Sequence, residues 1–301
     1  VYRIFAHASG IGTLLILFLI GLFLLIQGLP AFRYMGLGFF TNTGFLTFGS
    51  HPKFGVLALA TGTVIIATVA IVIAVPVAVA AALFISEYAP RKMRKPLTSL
   101  VDLMAAVPSV IFGLWGFFQV QPAVVGFARW LSQHLGFIPI FHVSTALFTS
   151  SSLMAGIVVA IMVMPIVASI AREVFSLAPQ AEREGALALG ASRWRMIRAV
   201  VIPFGRGGLV GATMLGLGRA LGETIAVSII ISPIYAVQPH ILQQGTNSIA
   251  AQIALDFGSG GKLGLHALLA AGLVLFAMTL VVNLIASVIV NRSRSAKGVE
   301  L

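Results

Sequence analysis

The sequence has no cysteine, and only eight of its 301 residues are acidic. Without thiols there can be no disulfides, no thiol catalysis and no Cys-ligated metal. Charged residues make up 9% of the chain, against about 25% in a soluble domain. That is too few to clothe a water-facing surface. The short alternating strands of a porin-like barrel are missing. No two of the six histidines stand four residues apart, so no metal site is indicated. None of the five lysines precedes Ser or Thr, and in "GSGGKL" (258–263) Asp256 occupies the place of the first phosphate-loop glycine. Gly-x-Ser-x-Gly and His-Glu-x-x-His are also lacking, which removes the motifs of an intramembrane hydrolase.

What is present is apolar. Hydrophobic residues are 59% of the chain and mean hydropathy is +1.05. About 20 apolar residues span the hydrocarbon core as a helix. The runs read as six spans, roughly 10–29, 56–86, 98–120, 150–171, 208–231 and 264–290. The expectation is an all-α, polytopic membrane protein, with residues 1–301 forming one transmembrane domain. The first run is too long for a signal-peptide core and lacks a clear cleavage site, so it is kept as a helix.

The formal charge of +11 would suit nucleic acid in a soluble protein. Here its placement matters more. Segments 1–9, 87–97, 172–207 and 291–301 hold 14 of the Lys and Arg residues; segments 30–55, 121–149 and 232–263 hold 4. By the positive-inside rule both termini and loop 172–207 are cytoplasmic, and no nucleic-acid partner is expected.

Loop 172–207 is patterned. "SLAPQAEREGALALG" reads as a helix with Pro179 in its first turn and Gly190 as a left-handed stop. Ser192 can cap a second helix, which Pro203 ends. Trp194, Ile197 and Val201 share a face at helical spacing, while Arg193, Arg195 and Arg198 lie off it. A basic amphipathic helix on anionic lipid is one reading. A rigid two-helix knob for a cleft in another protein is the other.

Arg219 and Glu223 stand in the middle of the fifth span, four residues apart and on nearly the same face of a continuous helix. They could form an internal salt bridge that does no more than ease insertion. An apolar residue would avoid the cost, so ionisable groups at this depth are functional candidates. A guanidinium fork suits an oxyanion. A neighbouring carboxylate would accept the P–OH of hydrogen phosphate and reject an anion lacking that donor. Glycines 207, 208, 211, 216, 218 and 222 allow close helix approach or room for a solute. Prolines 76, 108 and 165 read as kinks. At Pro108 a break beside a pathway is the alternative, with Ser109 facing an anion. Glu87 reads as a solvated span end and Asp102 as facing a helix partner or the basic turn. Arg172 and Glu173 read as interfacial, and Asp256 as a turn residue.

"EGALALGASRWRMIRAVVIP" (184–203) resembles the EAA loop of ABC importer permeases, with Glu184, Ala186, Gly190 and Pro203 matching by position and Gly185 departing from the usual Ala. "GRALGETIAV" (218–227), "VPSVIFGLWG" (107–116) and "GTNSIAAQIA" (245–254) are similar to the PstC permeases of phosphate ABC importers, from about span two onward. The resemblance implies a type I importer permease fold in a prokaryotic cell membrane. It implies inorganic phosphate as substrate, with Arg219, Glu223 and Ser109 along the pathway. It also implies coupling through Glu184, Ala186, Gly190, Arg193, Trp194 and Pro203. The implied partners are a PstA-like second permease, two PstB-like ATPases and a PstS-like binding protein. ATP and Mg would be held by the ATPases and no cofactor by this chain. Competing readings are a permease for sulfate, molybdate or another solute, and an ion-coupled carrier relaying protons through Arg219 and Glu223.

Overall fold

The computed structural model describes residues 2–47, 52–145, 147–259 and 261–295; the tail 296–301, with Lys297, lies outside the described residues. In order, the helices are α1 (Tyr2–Met35), α2 (Gly38–Thr41), α3 (Leu57–Leu83), α4 (Arg91–Ala105), α5 (Ser109–Trp115), α6 (Gln121–Leu135) and α7 (Ser152–Ser176). They continue as α8 (Gln180–Ala188), α9 (Arg193–Met196), α10 (Ile202–Leu221), α11 (Ile225–Ile230), α12 (Ile249–Asp256) and α13 (Gly261–Ser295). A two-residue hairpin, β1 (Phe45–Leu46) with β2 (Lys53–Phe54), is a minor addition, pairing Phe45 with Phe54.

Six helical runs are long and apolar enough to cross a membrane: Phe5–Met35, Leu57–Tyr88, Ser109–Leu135, Ser152–Ser176, Arg193–Leu221 and Gly261–Val288. Six spans were expected, but two differ in detail. The third is interrupted at 106–108, after the amphipathic α4. Asp102 of α4 meets Ser169 of α7, and Gly116 abuts Val158. Those α7 residues are about 16 Å apart along the helix axis, so the chain climbs past the break rather than lying flat. The fifth span is interrupted too, as described below.

α7 is the axis of the bundle. Two thirds of its most apolar window is buried, against under a third for every other span. Ser151 caps it by accepting the Met154 N–H at 3.3 Å. Small residues let neighbours come close. On α3 the stripe Ala70, Ala74, Ala78 and Ala82 is fully buried. On α10 the stripe Gly205, Gly208, Ala212, Gly216 and Ala220 falls on one helical face. A Cβ on Gly216 would sit 2.8 Å from both Val163 and Val167 of α7. Gly211 and Gly218 have nothing within 4 Å of such a Cβ. The glycines of this span therefore divide into a packing face and an open face. Pro76 and Pro165 sit inside unbroken helices; of the three prolines weighed, only Pro108 stands at a true break.

This division is testable by thermal unfolding of the purified chain. Gly216→Leu should destabilise by about 1–3 kcal/mol through overpacking. Gly211→Ala should leave the Tm unchanged or raise it, since alanine is the better helix former.

Candidate functional site

The fifth span does not hold Arg219 and Glu223 on one face. α10 ends at Leu221, Gly222–Thr224 is non-helical, and α11 restarts at Ile225. Local side chains replace the lost ladder. The Glu223 carboxylate accepts the Ala226 N–H at 3.1 Å, and the Thr224 hydroxyl donates to the Gly222 carbonyl at 3.0 Å. Glu223 is 7% exposed. One of its oxygens is occupied by this cap. The other accepts no hydrogen bond from a described residue. The expected Arg219–Glu223 pair is absent: the break removes the i, i+4 register that would have formed it.

Arg219 instead lines a groove of about 470 Å³ with Ile166 of α7, Met214, Leu215 and Gly218 of α10, and Asn283 of α13. It makes no hydrogen bond or ion pair to a described residue. Gly216 lies level with Val163 and Val167, the middle of α7, so Arg219 is about 4–5 Å beyond that middle. Asn283 was missed by the sequence reading. The signal was there, as a lone amide within the sixth apolar run.

The two breaks are neighbours. α5 follows the break at 106–108, and α11 follows the break at 222–224. They cross at Gly113, where a Cβ would lie 2.9 Å from the Ala226 Cα. Ser109 opens α5, half-buried, directly after Pro108. Non-helical backbone at membrane depth persists where it is buried in protein or lines a water-filled cavity.

The loop between α7 and α10 folds as the knob. Gly190 has φ +83°. The Ala191 N–H reaches the Ala186 carbonyl at 3.1 Å and the Gly190 N–H reaches Leu187 at 2.9 Å, the paired bonds of a Schellman stop. Ser192 caps α9 by accepting the Arg195 N–H at 3.3 Å. Pro179 precedes α8 as its N-cap, one place earlier than expected. Two expectations fail. Pro203 does not end a helix: α9, a π turn at Ile197–Val201 and α10 run on without interruption. A π turn shifts the hydrogen-bond ladder by one residue, which lets a helix pass the missing proline N–H. The expected face holds only in part: Ile197 and Val201 are buried, with Met196, while Trp194, in the first turn of α9, is 54% exposed. With Leu189 at 91% and Leu187 at 45%, Trp194 gives the knob an apolar tip. Glu184 is exposed and accepts a hydrogen bond from Gln180 at 2.9 Å. Arg193 lies over the Tyr88 ring at 5.7 Å. Ala186 packs against the cluster around Phe175 and Ile197.

Glu87 is not solvated. Its side chain is 5% exposed and ion-pairs with Arg183 of α8 at 3.1 Å, while Arg183 also donates to the Phe175 carbonyl at 2.5 Å. α8 is thereby tied to the ends of α3 and α7. Removing one partner of a buried pair leaves the other uncompensated. Glu87→Gln should therefore cost about 1–2 kcal/mol after allowing for the exposure of Arg183. It should also speed proteolysis of the 177–192 segment in the purified chain.

At the opposite end, segment 245–256 docks on α3. The Ile249 N–H donates to Thr63 at 3.0 Å, and Ser248 caps α12. Buried Gln252 takes a bond from Asn247 and donates to Tyr235 and to the Asp256 carboxylate. The Asp256 carbonyl closes the expected turn with Ser259. Desolvation raises the Asp256 pKa, partly offset by the Gln252 hydrogen bond; burial likewise raises Tyr235. A carboxyl whose folded pKa is raised contributes stability below its unfolded pKa, near 4, and loses it as pH rises through the folded value. Asp256→Asn keeps an acceptor for Gln252. It should raise the Tm at pH 7 by no more than about 2 °C, with the gain vanishing in acid.

With this geometry in place, the chain's relatives can be read against it. A family model described as binding-protein-dependent transport system inner membrane component matches residues 74–295, which includes both breaks and the knob. The phosphate transport system permease protein PstC 2 of Mycobacterium tuberculosis is 42% identical over 291 residues, covering 94% of this chain and 88% of its own. PstC of Haemophilus influenzae is 37% identical over 258 residues, covering 82% and 79%. The mycobacterial match takes in part of α1, further than the expected start near span two. Among solved structures, the inward-facing MetNI methionine ABC transporter gives a TM-score of 0.53 at 17% identity, covering 79% of this chain and 95% of that one. A bacterial alginate-importing ABC transporter gives 0.52 at 19%, covering 78% of each. These two share the fold. The chain belongs to the family of binding-protein-dependent transport system inner membrane components.

Proposed function

We propose that this chain is the permease subunit of an ATP-driven importer of inorganic phosphate, and itself catalyses no reaction. Its likeness to PstC permeases along nearly its whole length supports the substrate. The observation that carries the pathway is the unpartnered Arg219 at mid-depth, three residues before the helix break at 222–224. A guanidinium there costs about 2.5–3.5 kcal/mol on insertion scales if it faces lipid. A passing oxyanion or a second permease removes that cost. The free oxygen of Glu223 supplies an acceptor for P–OH. Ser109 lies at the other break.

In this reading residues 1–301 form one membrane-embedded unit in a prokaryotic cell membrane. The basic ends and the knob are cytoplasmic, as loop charge favours. The apolar tip formed by Leu187, Leu189 and Trp194 seats in an ATPase subunit, where ATP and Mg are bound. A PstA-like permease completes the pathway, a second PstB-like ATPase serves it, and a PstS-like protein delivers phosphate from outside. Arg193–Leu221 is one helical run, so a push on the knob reaches the break at Gly222 directly.

The test is ATP-dependent phosphate uptake by the reconstituted importer, with sulfate and molybdate as competitors. Arg219→Ala should fall to below about a tenth of the parent rate, the loss of one charge-assisted contact. Glu223→Gln keeps an acceptor for the Ala226 N–H, so it should fold normally and admit more sulfate. Leu189→Asp should uncouple ATP hydrolysis from uptake. Unchanged uptake by Arg219→Ala, or uptake without the ATPases, overturns the reading.

A further inference from the structure

A second polar cavity lies at the basic end, away from Arg219. It has a volume of about 190 Å³ and is lined by Ile85, Ser86, Arg94, Thr98, Arg172, Ser176 and Arg183. Three guanidiniums thus meet with one carboxylate, Glu87, paired to one of them. Their donors are not used up within the chain. Arg172 makes no hydrogen bond or ion pair to a described residue, and its Nε is buried. The Nε of Arg183 is also buried and unbonded. Arg94 donates only through Nε, to the Ala89 carbonyl at 3.1 Å. The Thr98 hydroxyl has no partner among the described residues. A buried donor left unbonded is costly, and more so on a charged group. Three cations gathered against one anion also repel one another. Such a cluster is stable when something negative sits in it.

We propose that this cavity binds a phosphate oxyanion, bridging Arg94 of α4, Arg172 of α7 and Arg183 of α8. The chemistry fits on two counts. The three guanidiniums of the lining, less the one that Glu87 neutralises at Arg183, leave two positive charges for a hydrogen phosphate dianion. The guanidinium forks and the hydroxyl present N–H and O–H donors from three helices, which suits a tetrahedral anion with several acceptors. Bound there, the anion fastens the coupling helix to the bundle, because Arg183 is the residue that anchors α8. The occupant is either free inorganic phosphate on the release side or the phosphate of an anionic lipid at the same level.

The experiment uses the purified full chain in neutral detergent, stripped of anionic lipid. Binding of radiolabelled inorganic phosphate is measured at fixed ionic strength, and retention of phosphatidylglycerol against phosphatidylcholine is measured by native mass spectrometry. Arg172→Gln should weaken the bound species about tenfold or more, the worth of a charge-assisted contact. Arg172→Lys should recover part of the loss, and each comparison is repeated in the Arg219→Ala background so that the pathway arginine does not contribute to the binding read. Thr98→Val gives a smaller loss and keeps the question open to test should Arg172→Gln fold poorly. The bound anion should also slow proteolysis of the 177–192 segment in the parent chain but not in Arg172→Gln. Saturable phosphate binding identifies the free anion; selective phosphatidylglycerol retention identifies the lipid. Equal binding of both probes by the parent and Arg172→Gln overturns the proposal. Uptake is not the readout, so failure of the transport reading and failure of this site are separable.

Discussion

Everything distinctive in this molecule follows from the cost of an unpaired backbone group where water is scarce. A continuous helix avoids that cost by default. At Gly222–Thr224 the chain gives up the ladder and recovers it with a carboxylate and a hydroxyl from the same three residues. Glu223 is thus held in place by the backbone it satisfies. Its burial at 7% exposure is the consequence of that cap, and its remaining oxygen is oriented by it. The break at 106–108 is joined to the first through the Gly113–Ala226 crossing, so neither can shift without disturbing the other.

The same economy keeps the knob continuous with the membrane span. A proline at 203 would ordinarily interrupt the chain between α9 and the fifth span. The π turn at Ile197–Val201 keeps the helix unbroken. The result is a rod from Arg193 to Leu221, held along α7 by a stripe of glycine and alanine. Such a stripe gives close packing, with Val163, Val167, Val174 and Phe175 of α7 seated against its glycines, so the rod is supported along its length. One end carries Trp194 and the other stops at the break.

The sequence made the local features legible. Six apolar runs, the left-handed Gly190 and the Ser192 cap could be read from spacing and residue type, because each depends on partners a few residues away or on bulk hydropathy. The failures share a cause as well. Glu87 finds Arg183 nearly a hundred residues later, and no local pattern announces that. Trp194 stands in the first turn of α9, and apolar spacing alone does not say whether that turn is covered or exposed. Gly222 could equally have been a helical packing glycine, as Gly216 is. What decides is whether Glu223 has a better use in capping α11 than in pairing with Arg219, and that depends on where α11 must lie against α5.

Arg219 shows what the isolated chain leaves unfinished. Its guanidinium and the Asn283 amide both face the same groove at mid-depth, and neither has a partner among the described residues. Lipid in that groove would leave five N–H donors unbonded, which is far costlier than replacing the arginine with leucine. An internal counter-ion was available four residues away, yet the helix breaks so as to turn it aside. A residue kept only to ease insertion would have taken that partner. The separation therefore leaves the guanidinium without an internal counter-ion, with the carboxylate fixed to the backbone rather than to the arginine.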